Sequence, residues 1–511
     1  MRVLFVAVGS RGDAEPFCSL AASLAESAEI DTIDIFVQMD LIHLVPIIPK
    51  VRFHKLPFTQ MDFYKYAGAR KPPQAGAGHG NPRVNFLGIV TDIMGELVLP
   101  CLADVLSVAM PTPATATETA TSCVDAIVAS SLARQLALEL AGQLQLTRTK
   151  PPAVYLVQLQ PLVPTKNFPH FSQHDECLKA LVNANSKAAP DTTTDYVESY
   201  LELERFQFDF LLVHIDKLLS IDDKALVVWD GYRKPEHPLE FAKDMVPALM
   251  GYETSNNIDI WMVNAVSTHL IAAPSDAGPK VLNVGSLADS YIPAGFEPPV
   301  DLVTFLDTIK QTTVAVPTDK RKAADDRPAC FGYGSMPFDK AELVVEALYE
   351  ANCPAILVGS AMMSVLDTIQ LDKNHAKLSL TAWAKNNIHC VAGIPYAWLL
   401  PRCSMMFSHG GAGVVHATLR AGIPSVISPL MGDQFMFADY LQAKGWGVRA
   451  SSSLGGLTKN DVLQSIGKAR DCQEACRVLG DRMAKGEPVG SNSGKFGPDI
   501  LTEAIVSNAA S

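Results

Sequence analysis

The stretch His409-Gly410-Gly411-Ala412-Gly413 places an imidazole and three glycines between the apolar run Ser404-Met405-Met406-Phe407 and the helix-like run Val414 to Ala421. That order predicts a strand, a glycine-rich turn and a helix start. Free main-chain N–H groups in a first helical turn, with the positive end of the helix dipole behind them, attract an anion, and glycine lets it approach the backbone. His409 adds a side-chain donor at the lip, so His409, Gly411, Ala412 and Gly413 read as a phosphate cradle. Further along, Ala421-Gly422-Ile423-Pro424 leads into an apolar strand, Ser425 to Ser428, and then into Pro429-Leu430-Met431-Gly432-Asp433-Gln434. A carboxylate beside an amide suits the hydroxyls of a sugar. Asp433 and Gln434 are therefore candidates to hold one, and the two loops together predict a site for a nucleotide sugar.

A second carboxylate stands in Gly9-Ser10-Arg11-Gly12-Asp13, after the apolar run Val3 to Val8. Asp13 precedes the helix-like Ala14-Glu15-Pro16, where an aspartate ordinarily serves as an N-cap with a depressed pKa. Arg11 is open between a phosphate contact and a solvent-facing side chain.

Composition bounds the partners. With 511 residues and 55.0 kDa the chain is too long for one ordinary core, and two domains is the expectation. A net charge of −12 argues against nucleic acid, which needs a basic face. The ten cysteines are scattered with no Cys-x-x-Cys pair and no zinc spacing, a reducing-compartment pattern that points to the cytoplasm. The first apolar run is too short for a signal peptide, and the most apolar longer window, Leu87 to Met110, is interrupted by Asp92, Glu96 and Asp104. A soluble protein is expected, with peripheral contact to a membrane left open.

The elements that must position these groups alternate. Val3 to Val8, Glu15 to Ala25 and Ile33 to Val37 read strand, helix, strand, and Val124 to Ala129 and Val154 to Gln158 read as further buried strands, which implies βαβ units and a parallel sheet. The Pro/Gly stretch 70–82 and the Thr/Ala/Pro tract 111–122 look like surface insertions. Residues 312–328 change composition and read as a linker. Beyond it Ala329 to Ser335 forms strand and turn, Lys340 to Asn352 a helix and Ala355 to Val358 a strand. The expected fold class is α/β, with two Rossmann-like domains whose parallel sheets face across a cleft at their C-terminal strand ends. The domains span 1–311 and 329–490. For the tail 491–511, a helix returning to the N-terminal domain is a further expectation.

Taken in order, Gly9-Ser10-Arg11-Gly12-Asp13, Gln160-Pro161-Leu162-Val163-Pro164-Thr165, Gly332-Tyr333-Gly334-Ser335-Met336, the His409 cradle and Gly432-Asp433-Gln434 resemble the two-domain GT-B glycosyltransferases of family 1. The resemblance is to sterol and lipid glucosyltransferases together with bacterial glycopeptide and macrolide glycosyltransferases, and it spans nearly the whole chain. It implies inverting transfer of a hexose from a UDP-sugar, or in some branches a TDP-sugar, to a hydroxyl of a lipophilic acceptor. Asp13 matches the carboxylate that takes the acceptor's proton, with Gly12 in its loop. No cofactor is implied beyond the UDP-sugar as co-substrate. No metal is implied either, since the chain lacks Asp-x-Asp and the helix start with His409 would bear the departing diphosphate. Gly334 and Ser335 match a turn facing that diphosphate, the backbone of Ile394 matches a segment that pairs with uracil, and Asp433 and Gln434 suggest glucose or a near relative. The chain departs from the pattern at Val414, where relatives carry Ser or Thr. One lost neutral hydrogen bond costs about 1 kcal/mol, a deficit Ser335 is placed to offset.

For the acceptor, Phe58, Met61, Phe63, Tyr64 and Tyr66, then Phe206, Phe208 and Phe210, suit a lipophilic wall or, equally, helix packing. His170 and Trp398 stay open between site and core. Two other readings share these motifs: a rhamnosyl-type deoxysugar transferase, and a non-catalytic nucleotide-sugar-binding partner subunit. An NAD-dependent oxidoreductase is disfavoured because Gly-Ser-Arg-Gly replaces Gly-x-Gly-x-x-Gly after the first strand.

Overall fold

The computed structural model describes residues 1–69, 82–110, 123–146, 150–184, 195–221, 227–230, 237–253, 258–287, 291–293, 295–314, 327–334, 336, 338–371, 375–487 and 494–510. Two compact units form. Unit 1 comprises Met1–Leu287 and Glu487–Ser511, and unit 2 comprises Ala288–Gly486.

In unit 1, β1 (Arg2–Ala7), β2 (Thr32–Gln38), β3 (Val51–Leu56), β4 (Ala126–Ser130), β5 (Ala153–Gln158), β6 (Ile260–Asn264) and β7 (Val281–Asn283) make one parallel sheet in the order β3-β2-β1-β4-β5-β6-β7. All six residues of β1 are buried, as a strand covered by helices on both faces must be. Unit 2 repeats the plan with β8 (Ala329–Gly332), β9 (Ala355–Val358), β10 (Ile388–Val391), β11 (Met405–Ser408), β12 (Ser425–Ile427) and β13 (Gly447–Arg449) in the order β10-β9-β8-β11-β12-β13, again all parallel. In each sheet the first strand lies centrally, its successor on one side and the fourth strand on the other. The connections leaving β1 and β4, and those leaving β8 and β11, therefore diverge, which opens a crevice at the C-terminal strand ends.

The boundary between the units differs from the sequence reading. The helix Val300–Val314 belongs to unit 2 because Leu302 is fully buried among Cys330, Ile356 and Met406. Residues 315–326 of the expected linker, the stretch 70–81 and the tract 111–122 lie outside the described residues. Glu487 brings the chain back into unit 1, where the helix Gly497–Ala510 packs on the helix Arg11–Glu26 and the Ser23 hydroxyl meets Asp499 and Thr502. Among the described residues no helix is long and apolar enough to cross a membrane. The window Leu87 to Met110 is instead several consecutive helical pieces, one of them a π-turn over Met94–Val98.

Candidate active site

The loop after β1 sits at the switch point of the first sheet. Ser130, ending β4, accepts the Val8 N–H and donates to the Val8 carbonyl, both at 2.9 Å. Gln38, ending β2, does the same for Gly9: its Oε1 accepts the Gly9 N–H at 3.1 Å and its Nε2 donates to the Gly9 carbonyl. Ser10 is then the N-cap of the helix Arg11–Glu26, and Asp13 occupies the third helical position. The N-cap is therefore Ser10 and not Asp13. Asp13 is the reciprocal member of a capping box, its Oδ2 accepting the Ser10 N–H at 2.7 Å and the Ser10 hydroxyl at 3.0 Å. Its pKa is also raised rather than depressed, because burial outweighs these two hydrogen bonds. A carboxyl shifted in that direction is a stronger base than an exposed aspartate.

Gly9 makes the arrangement possible. Its φ is +146°, and a Cβ built on it would lie 2.5 Å from the Asp13 Cβ. Gly12 is exposed, and a Cβ there would make only ordinary contact with the Ser10 hydroxyl. Arg11 forms an i,i+4 ion pair with Glu15 at 2.7 Å, and its N–H donates to Gln60.

In unit 2 the corresponding loop follows β11. Ser408 Oγ accepts the Gly410 N–H at 3.2 Å, and Gly410 has φ +88°, with a notional Cβ 2.5 Å from Cγ2 of Ile427 on β12. Gly411 is the N-cap of the helix Ala412–Arg420, so Ala412 and Gly413 are its first two residues. The His409 ring lies against two glycines. A Cβ on Gly411 would be 2.8 Å from Nε2, and one on Gly334, in the turn after β8, would be 3.4 Å from Cε1. Burial lowers the His409 pKa to about 4, a hydrogen bond with the Tyr333 main chain acting the other way. At neutral pH it is an uncharged imidazole. The structure therefore brings Gly334, His409, Gly411, Ala412 and Gly413 together at the second switch point. Ser335 lies outside the described residues.

Val414 carries no polar atom, and the next hydroxyl along this helix, on Thr418, donates back to the Val414 carbonyl at 2.6 Å. After β12, Gly432 (φ +59°) precedes the helix Asp433–Lys444. Gln434 is buried, and its Oε1 accepts the N–H groups of Leu430 and Met431 at 2.8 and 3.1 Å. Its side-chain carbonyl thereby holds its own loop. The Ile394 side chain is packed in the core with Val391 and Leu399, so only its backbone is on offer. Trp398 lies 4.2 Å beneath the Arg402 guanidinium and edge-on to Phe296, which makes it a packing residue.

Several candidates for the acceptor wall prove to be core. Phe208 is 1% exposed and stacks on Phe241 at 4.3 Å, and Phe58 is buried against Phe63. His170 is buried between Phe171 and Tyr200. Met61 is exposed. The side chains of Tyr64, Tyr66 and Phe210 lie outside the described residues. Sequence reading passed over Gln38 and Ser130. The available signal is a polar residue closing an otherwise apolar buried strand, in Thr32–Gln38 and in Ala126–Ser130.

Residues 362–488 match the family model of the C-terminal domain of erythromycin biosynthesis protein CIII-like proteins. A sterol 3-beta-glucosyltransferase of Arabidopsis thaliana is 30% identical over 185 residues, covering 35% of this chain and 24% of that protein. One of Candida albicans is 33% identical over 172 residues, covering 33% of this chain and 10% of that protein. The chain thus spans a quarter or less of the length of these curated relatives. Two solved structures extend over nearly everything. A UDP-glucosyltransferase from Polygonum tinctorium capable of glucosylating indoxyl aligns with TM-score 0.57 at 13% identity, over 100% of this chain and 99% of that one. The spinosyn rhamnosyltransferase solved with thymidine diphosphate aligns with TM-score 0.52 at 15% identity, over 99% and 100%. At such identities the likeness establishes the fold. With its two parallel sheets and their strand orders, the chain has the GT-B fold, and residues 362–488, almost all of them in unit 2, resemble the C-terminal domain of the erythromycin biosynthesis protein CIII-like family.

Proposed function

We propose that the protein is an inverting, metal-independent O-glycosyltransferase that moves a hexose, glucose by preference, from a UDP-sugar to a hydroxyl of a lipophilic acceptor such as a sterol, lipid or aglycone. The observation that carries this reading is that the functional loops of both units fall on the switch points of their sheets. Unit 2 supplies the donor half. The helix start at Gly411 to Gly413 and the neutral His409 offer N–H groups to the diphosphate, whose growing charge on departure they stabilise without reorganising. Asp433 and the Gln434 amide nitrogen are assigned to the sugar, and the Ile394 backbone to the base. Unit 1 supplies the acceptor half. An alcohol attacks poorly until it loses its proton, and Asp13, with its raised pKa, takes that proton as the oxygen bonds to the anomeric carbon and the UDP oxygen leaves from the opposite face.

Asp13→Asn tests this directly. The variant keeps a side-chain oxygen for the Ser10 donors, so UDP binding should persist while turnover disappears; retained turnover would return Asp13 to a purely structural role. Incubation with UDP-glucose or TDP-rhamnose and a panel of sterols and polyketide aglycones, in EDTA, should give a hexose mass increment with the first donor. An increment with TDP-rhamnose alone would favour the deoxysugar reading. Binding without any product would favour the partner subunit.

A further inference from the structure

We infer that Gln38 is the positioning residue for Asp13, an inference that rests on the reading of Asp13 as the base. β1 and β2 are in register to Ala7 opposite Val37. Beyond that point β2 offers β1 no further main-chain acceptor: the Gln38 carbonyl instead takes the Leu41 N–H and closes a turn. The Gly9 peptide, just past the C-terminal end of β1, is thereby left without a main-chain hydrogen-bond partner on the β2 side. The Gln38 amide takes the place of the missing peptide, meeting both the N–H and the carbonyl of Gly9. It is fully buried, and a buried amide is retained at low cost only when both ends are satisfied, as they are here.

The clamp acts on a residue that the Asp13 side chain packs against. Gly9 holds φ +146°, and the Asp13 side chain packs directly on its Cα face. A rotation of the Gly9 peptide therefore moves the carboxylate. Ser130 fixes the preceding peptide from the opposite strand, so the loop is held on both sides, and of the two it is Gln38 that grips Gly9, against which the Asp13 side chain packs. The other charged groups near the loop are committed elsewhere. Arg11 pairs with Glu15, and Asp40 accepts from Gln60.

The test compares Gln38→Leu, which removes both hydrogen bonds at similar volume, with Gln38→Glu, which keeps the acceptor for the Gly9 N–H and adds a negative charge. With UDP-glucose and whichever acceptor the panel yields, Gln38→Leu should lower kcat by about tenfold or more while KM for the donor and Kd for UDP stay within about twofold, because orientation is lost but donor binding is not. Gln38→Glu should move the acid limb of the kcat profile upward by about half a unit or more, since a second carboxylate favours the protonated form of Asp13. A residue that merely stabilised the fold would lower the melting temperature and leave kcat of the folded protein unchanged. If Gln38→Leu does not fold, Gln38→Asn, whose amide is one methylene too short to meet both groups of Gly9, takes its place and should show the same loss of kcat at unchanged donor KM. Wild-type kcat and an unmoved limb in folded variants overturn the inference. Asp13→Asn is run alongside: inactivity there with unaffected Gln38 variants refutes the positioning role alone, whereas activity in Asp13→Asn removes the base itself and the inference with it.

Discussion

Gly9→Ala is the sharpest perturbation the fold offers, because its effect is fixed by geometry rather than by lost chemistry. At φ +146° an alanine is held where L residues rarely reside, a strain of about 1–3 kcal/mol. Its new Cβ would sit 2.5 Å from that of Asp13, whereas carbon atoms favour roughly 3.5–4.0 Å, so the side chain must retreat by about 1 Å or more. Retreat breaks the hydrogen bonds from Ser10 to Oδ2. With these included the variant should lose about 2–5 kcal/mol of unit 1 stability. A displacement of that size in a reacting group costs about a hundredfold in rate. Urea titration followed by fluorescence measures the first quantity, and initial rates at saturating donor measure the second. UDP affinity should not change. In an Asp13→Gly background, which removes the Asp13 Cβ as well, the clash is gone, and Gly9→Ala should then cost only the strain, about 1–3 kcal/mol. Wild-type kcat in folded Gly9→Ala, or equal destabilisation in both backgrounds, would refute the packing of Asp13 on Gly9.

Other residues give further tests. Asp34 is fully buried. Burial alone would raise its pKa, but hydrogen bonds from His54, Arg52 and Arg2 outweigh it and hold the value at about 2. Its contribution to stability is therefore complete above the ordinary value of 3.8 and is lost as pH falls toward 2, and Asp34→Ala, which leaves buried Arg2 without its carboxylate, should cost about 3–5 kcal/mol by denaturation at pH 7. Because the His409 pKa lies at about 4, the ratio of UDP affinities of the wild type and His409→Gln, measured by calorimetry, should stay constant through the usual histidine range; a ratio that rises as pH falls through that range would mean a ring that takes up charge and would refute the neutral donor. Gln434→Glu preserves the acceptor for Leu430 and Met431 but removes the amide donor, so it should keep the melting temperature while raising KM for UDP-glucose about tenfold. Gly410→Ala, with a Cβ 2.5 Å from Ile427, should weaken UDP binding without affecting unit 1.

The central strands were legible because burial on both faces leaves an unbroken apolar run. β1, β4, β5, β9 and β11 each fall within a residue or two of where the pattern puts them. The outer strands were not. β3 reads Val-Arg-Phe-His-Lys-Leu because it is an edge strand with exposed residues, and β13 is three residues long. The glycine turn before Ala412 was readable from composition, since Gly410 has a positive φ and no room for a Cβ. The state of Asp13 was not. Local rules predict a capping carboxylate with a low pKa, while the deciding factor is desolvation by parts of the chain distant in sequence. Gln38 and Ser130 reach the loop across 29 and 122 residues, and no local motif encodes such a clamp. Phe208 was ambiguous for the same reason: an aromatic on a helix looks alike whether it lines a pocket or, as here, stacks on Phe241.

The closing helix has a consequence for biosynthesis. Glu487 enters unit 1 with its carboxylate accepting the N–H and hydroxyl of Thr268 at 2.9 and 2.5 Å, beside Gly285, whose φ of +81° and missing side chain leave it space. Gly497–Ala510 then covers the outer face of the very helix that bears Asp13. These last residues leave the ribosome only after all of unit 2 has been translated. The earlier-made half must wait, with one helix uncovered, while the later-made half folds independently. Removal of residues 497–510, which spares every motif of the site, should on this account still leave the Asp13 helix uncovered and lower the proposed activity.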